Sequence, residues 1–150
     1  MFVLRKLRVV FNTVKGHFRE VEKKAGVAGA QVWALSVIRE QRGCGVGELA
    51  KAMDIHQSTA SNLLKPLIEA GMVTSERAEG DRRALRLRIT PRGLAVLRKA
   101  PGPAAGMLPE ALTKLDLETL DRLERDLDDL IAVLHTDKRA AKVPLGQPDR

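Results

Sequence analysis

The stretch from Val46 to Thr90 constrains the fold more tightly than any other part of the chain. "VGELAKAMDI" reads as a short helix with Leu49, Ala50 and Met53 on one face. Asp54-Ile55-His56 makes a tight turn, and Asp54 tolerates the left-handed backbone such a turn needs. "HQSTASNLLKPLIEAGMV" is a second helix. Its Leu63, Leu64, Leu67 and Ile68 form an apolar stripe, and Gly71 stands just past its end. Two short helices joined this way are a helix-turn-helix. Met72–Ala78 and Ala84–Thr90 then read as two strands around "EGDRR", with Leu85, Leu87 and Ile89 alternating with Arg86 and Arg88. Pro66 lies inside the second helix and predicts a mild bend without a break, because apolar residues continue on both sides.

This second helix divides its labour along its length. Its leucines fasten it to the domain, while Gln57, Ser58, Thr59, Ser61 and Asn62 project at its start and Lys65 follows one turn beyond Ser61. Short donors and acceptors there suit phosphates and base edges in a major groove. Taken alone, "HQSTASN" reads equally as a helix-capping cluster. The hairpin shifts the balance, because Arg82 and Arg83 at its tip are useless to a core and favoured in a narrow, electronegative minor groove.

The flanks are helical. Leu4, Leu7, Phe11, Val14, Phe18 and Val21 are spaced 3, 4, 3, 4, 3, a heptad seam that calls for a partner helix. Gly16 inside that helix costs about 1 kcal/mol relative to alanine, and "AGVAGA" at 25–30 breaks it. A helix from about Gln31 to Arg42 carries Val32, Trp33, Leu35, Val37 and Ile38, and "RGCGVG" at 42–47 is a loop. Thr90 and Pro91 start a helix that runs to about Ala100. "PGPAAGMLP" is a break. A last helix, about Asp116 to His135, repeats the near-heptad pattern in Leu120, Leu123, Leu127, Leu130, Ile131 and Leu134.

Charge supports a polyanionic partner. The net charge is +7, but residues 1–100 carry 19 Lys and Arg against 9 Asp and Glu, whereas residues 101–150 carry 7 against 10. A basic but inert surface is the bland alternative. One cysteine, Cys44, excludes an internal disulfide; it reads as a plain loop residue, with nothing but loop exposure to lower its pKa. His17, His56 and His135 have no metal-binding spacing, no cofactor motif is present, and the acidic pairs of the last helix read as a solvated face. No enzyme constellation, membrane span or signal peptide is found, so a cytoplasmic protein is expected.

"AGAQVWALSVI", "VGELAKAM", "QSTASNLLKPLIEAGMV", "EGDRRALRLRITPRG" and the late leucine-rich helix resemble the MarR family of bacterial winged-helix transcriptional regulators, over roughly residues 1–135. The wing carries the most specific match, in Asp81, Arg83, Leu85, Leu87, Ile89, Thr90 and Gly93. The resemblance implies that Arg83 enters the minor groove, that Asp81 supports it and that Arg82 contacts the backbone. It implies a homodimer joined by its N- and C-terminal helices, in agreement with the two seams. Such a dimer presents two recognition helices about 34 Å apart and reads a palindromic double-stranded site.

The expected fold class is mainly α with a short β-hairpin wing, a winged helix-turn-helix dimerised through its terminal helices. The expected divisions are an N-terminal dimerisation helix (1–24), the DNA-binding domain (28–100), C-terminal dimerisation helices (101–136) and a flexible tail (137–150). The family further implies a repressor released by a phenolic or aromatic acid held near His17 and Trp33. A winged-helix module that binds DNA without sequence preference, or binds a protein, is the alternative expectation. Two positions depart from the family pattern: His56 stands where Ser or Thr usually begins the recognition helix, and "AGA" precedes the second helix in place of a Ser/Thr-Pro pair.

Overall fold

The structure, a computed structural model, describes residues 2–134 and 137–148, and of Arg82, Arg83 and Lys138 the backbone alone. Its elements are α1 (Phe2–Ala25), α2 (Gly29–Glu40), α3 (Val46–Ala52), α4 (Gln57–Glu69), β1 (Val73–Ala78), β2 (Asp81–Ile89), α5 (Pro91–Lys99), α6 (Met107–Thr113), α7 (Leu117–Val133) and a 3-10 turn (Lys138–Lys142). This is a mainly helical winged-helix fold with a two-stranded antiparallel hairpin. His135, at the expected end of the last helix, lies outside the described residues.

The core sits where α2, α3, α4 and the hairpin meet. Leu35 and Ile38 of α2, Leu49 of α3, Leu63 and Leu67 of α4, Val73 of β1 and Leu87 of β2 are all fully buried. All but Val73 came from a stripe with the period of its own element, so one packed interior satisfies several sequence patterns at once. The helices start on local chemistry. Gln31 Oε1 accepts from the Ala28 N–H at 3.0 Å at the head of α2, and Glu48 Oε2 accepts from the Gly45 N–H at 2.7 Å at the head of α3. Thr90 both accepts from the Gly93 N–H and donates to the Gly71 carbonyl at 2.6 Å, which ties the head of α5 to the end of α4.

Two details of the wing differ from the sequence reading. The chain turns at Glu79–Gly80, where Gly80 takes φ +85°, a left-handed value open to glycine at no steric cost. β2 therefore begins at Asp81, before the arginines and not after them. The register also shifts: Arg77 pairs with Leu85 but Ala78 pairs with Asp81. Residues 82–84 thus bulge from the ladder, and a bulge bends the strand and re-aims the residues it carries.

α6 was not expected, because "PGPAAGMLP" reads as a break. The helix forms because Pro109 falls in its first turn, where a missing N–H costs no intrahelical bond. The segment expected to be loose, 137–148, forms the 3-10 turn and lies against the body: the Ala30 N–H donates to the Gly146 carbonyl at 3.0 Å, and the His56 N–H to the Lys142 carbonyl at 3.3 Å.

Cys44 requires a correction. It lies in a loop but is buried, with its carbonyl accepting from the Leu87 N–H at 2.9 Å. The loop runs alongside β2 and is closed over by it. Burial, then the nearby Glu48 carboxylate, pushes the Cys44 thiol above its ordinary pKa, which opposes thiolate formation.

Two measurements test this packing. Leu35→Ala removes a fully buried side chain and is expected to lower unfolding free energy by about 2–5 kcal/mol in urea titration, with an unchanged m-value. Cys44 is expected to react with a disulfide dye far more slowly in the native chain than in urea; equal rates would show that the loop does not cover it.

Candidate nucleic-acid interface

The interface begins at the turn between α3 and α4. Asp54 takes φ +53°, the one non-glycine residue at positive φ among those described. Met53 and Ile55 on either side are buried. The turn is therefore pinned from inside while its polar residues stay out, and it sets how α4 leaves α3. His56 is the N-cap residue of α4 with extended backbone angles, and its side chain makes no capping bond. The helix then begins at Gln57 with no acidic residue in its first turn, so its N-terminal partial positive charge is not cancelled on the helix itself.

α4 buries Thr59, Ala60, Leu63, Leu64 and Leu67. Gln57, Ser58, Ser61, Asn62 and Lys65 are all exposed. Five of the six α4 residues singled out from the sequence thus share the outward side. Thr59 does not: it is only 8% exposed and lies on the inner side with Ala60 and Leu63. Helical spacing accounts for this, since Thr59 is four residues before Leu63 on the apolar face. Pro66 falls within the helix, which continues to Glu69.

The wing stands directly after α4 in the chain and packs against it through β1. Asp81 is exposed at the start of β2, and Arg82 and Arg83 follow in the bulge. The side chains of Arg82 and Arg83 lie outside the described part of the structure. Arg88 Nε lies 3.4 Å from Glu76 Oε2 across the ladder, an exposed pair of small energetic weight that keeps this arginine along the strand.

A second region concerns small ligands. Val14 and Phe18 of α1, Trp33 of α2, Leu108, Pro109 and Leu112 of α6, and Leu145 surround an apolar cavity of about 140 Å3. Trp33, one of the two residues expected near a ligand, lines it. His17 does not; its buried ring stacks at a tilt 5.9 Å from that of Phe18 and faces Gly102. Phe18 had been read only as a seam residue, and Leu145 sits in a Pro/Gly-rich stretch whose pattern carried no signal. Beside the cavity, sharing Val14, Phe18 and Leu145, an open groove of about 490 Å3 brings Lys15 and Arg19 to its rim.

The terminal helices present unpaired apolar faces. In α1 only His17, Val21 and Ala25 are buried, and Phe11 near its middle is 67% exposed. α7 buries no residue, and Leu127, Leu130, Ile131 and Leu134 face outward. Their charges are opposite. α1 carries Arg5, Lys6, Arg8, Lys15, Arg19, Lys23 and Lys24 against Glu20 and Glu22; α7 carries Glu118, Asp121, Glu124, Asp126, Asp128 and Asp129 against Arg122 and Arg125. Among the described residues no cluster of side chains could hold a metal ion, and no helix is long and apolar enough to cross a membrane.

Comparison with known proteins agrees with this architecture. The chain is similar to a MepR-like protein solved with pseudoligands, at 18% identity over 88% of this chain and 93% of that one, with a TM-score of 0.62. It is similar to S. aureus MepR, solved as a DNA complex, at 17% identity over 90% and 99%, TM-score 0.60. It is also similar to the transcriptional regulator Tm0710 from Thermotoga maritima, at 28% identity over 88% and 93%, TM-score 0.52. No curated protein matches the sequence. The MarR family model matches residues 25–84, which span the end of α1, the whole helix-turn-helix and the first half of the wing. Residues 25–84 are thus similar to the MarR family, and the chain shares the fold of these solved structures.

Proposed function

We propose that the chain acts in the cytoplasm as a homodimeric, sequence-specific regulator of double-stranded DNA, a repressor that a small aromatic acid releases. The observation that carries this reading is the two-sided α4. Its inner face is sealed in the core, and its outer row of Gln57, Ser58, Ser61, Asn62 and Lys65 is exposed beside a basic wing. A helix so held inserts as a rigid body into a major groove, with its first turn nearest the bases. Arg83 is the minor-groove residue, Asp81 its support and Arg82 a phosphate contact. That S. aureus MepR, similar in fold, has been solved as a DNA complex supports DNA as the partner.

The dimer reading draws on the terminal helices. Two exposed apolar seams, one basic and one acidic, are complementary between copies, since α1 of one copy and α7 of the other attract where two copies of either helix repel. A pair related by two-fold symmetry offers two α4 helices to a palindrome. The effector reading draws on the cavity. Its 140 Å3 of apolar space is comparable with the ~150 Å3 that accommodates a benzene ring in a dry cavity, and Lys15 and Arg19 on the adjoining groove suit a carboxylate. Ligand and DNA would then oppose each other reciprocally.

Arg83→Ala is expected to weaken operator binding by about 1–3 kcal/mol in a gel-shift titration with sites selected from random DNA; unchanged affinity would remove Arg83 from the interface. Failure to select any one palindrome, with a steep salt dependence on all DNA, would favour the architectural alternative. Leu7→Asp or Leu127→Asp is expected to give monomers by light scattering, with DNA affinity lost in parallel. Intact dimers would refute the seam reading.

A further inference from the structure

The segment 142–146 touches both ends of the proposed regulatory system. At one end the Lys142 carbonyl accepts the N–H of His56, the N-cap residue of α4, and Lys142 Nζ pairs with Asp54 in the helix-turn-helix turn. At the other end the Gly146 carbonyl accepts the N–H of Ala30, in the first turn of α2, and Leu145 helps to wall the apolar cavity beside Phe18 and Trp33. The seat at Gly146 is shaped for this residue. Gly146 takes φ +73°, and a Cβ there would lie 2.6–2.9 Å from three carbons of the Phe18 ring. Gly29 approaches the same Cδ1–Cε1 edge of that ring, and a Cβ there would also collide. Two glycines, one from each segment, thus pack closely on Phe18.

We propose that residues 142–146 form a strap that couples the cavity to the recognition-helix turn. This regulatory meaning rests on the proposed function, in which the turn positions the DNA-reading helix and the cavity admits a ligand. The strap is anchored firmly at the cavity, by the ring of Phe18 and the α2 amide. It is anchored lightly at the turn, where the Asp54–Lys142 pair is largely exposed and such pairs are weak. Three residues lie between the anchors, too few to absorb a shift at one end without moving the other. An occupant that displaces Leu145 therefore pulls Lys142 from the turn, and by linkage a change at the turn is felt at the cavity.

The full chain supplies its own probes. Trp33 is its one tryptophan and lies in the cavity wall next to Leu145, while the Ala30 and His56 amides are each held by a strap carbonyl. Gly146→Val perturbs the cavity end. It is expected to raise hydrogen exchange at both amides by at least about tenfold, with core amides such as Leu35 unaffected. Lys142→Ala, an exposed substitution, perturbs the turn end and is expected to red-shift Trp33 emission without lowering the melting temperature. If Gly146→Val frees Ala30 but leaves His56 protected, or if Lys142→Ala leaves Trp33 emission unchanged, the two ends are independent and the strap is refuted. An unfolded Gly146→Val chain leaves the Lys142→Ala result to decide. None of these readouts involves DNA, so the strap can fail while DNA binding stands, and the reverse.

Discussion

Burial of one face of α4 is the constraint from which the outward chemistry follows. Ala60, Leu63, Leu64 and Leu67 are locked against α2, α3 and β1, and each fully buried leucine is worth about 1.5–3 kcal/mol relative to exposure. A helix fixed by that many contacts has one rotation about its axis open to it. The polar row then faces solvent because the remaining side of the helix must. The left-handed Asp54 completes the constraint by fixing the angle at which α4 leaves α3. The DNA contacts proposed for Gln57, Ser58, Ser61, Asn62 and Lys65 would thus depend on buried residues that touch no partner.

The wing is tied to the same interior by fewer points. Val73 and Leu87 enter the core, and the Leu87 N–H bonds to the Cys44 carbonyl. Beyond Arg77 the register shifts to the Ala78–Asp81 pair, and the three residues of β2 in between oppose no partner. The root of the hairpin is therefore fixed to the body, while its far end carries the arginines on backbone that the sheet does not regulate. That division suits a structure whose root must keep register with α4 and whose end must follow a groove of variable width.

Much of this was legible because helix and strand periods are read from residues a few places apart. The stripes of α2 and α4, the alternation of Leu85, Leu87 and Ile89, the capping Thr90 and the left-handed Asp54 are all local signals, and they recur in the structure except that Leu85 and Ile68 stand exposed. What was not legible depended on contacts distant in sequence. Thr59 reads as one of the outward polar residues at the start of α4 until the helix is seen to turn it inward. Cys44 reads as an exposed loop residue until β2 covers it. Leu145 and Gly146 sit in a stretch of prolines and glycines with no period at all, and their significance comes from Phe18, more than a hundred residues earlier. The bulge at 82–84 was hidden for another reason: a strand pattern gives alternation, not the count of residues opposite one another.

The terminal helices carry a different kind of information, visible in what they leave uncovered. An apolar seam on a lone helix gains nothing from facing water, and α7 leaves Leu117, Leu127, Leu130 and Ile131 exposed while holding an ordered helix with an Asp116 cap. Helix propensity alone sustains such an element only marginally, since most helical stability comes from packing an amphipathic face. The segregation of charge adds direction to that demand. In the proposed dimer, like seams would set basic against basic or acidic against acidic, and attraction between unlike seams would favour an α1-to-α7 arrangement over its competitors. Because those charges are exposed, that preference would weaken as salt rises, whereas the apolar contact would not. Assembly and register would then be separable: leucines and phenylalanines would supply the free energy of association, and the opposed charges would decide which helices meet.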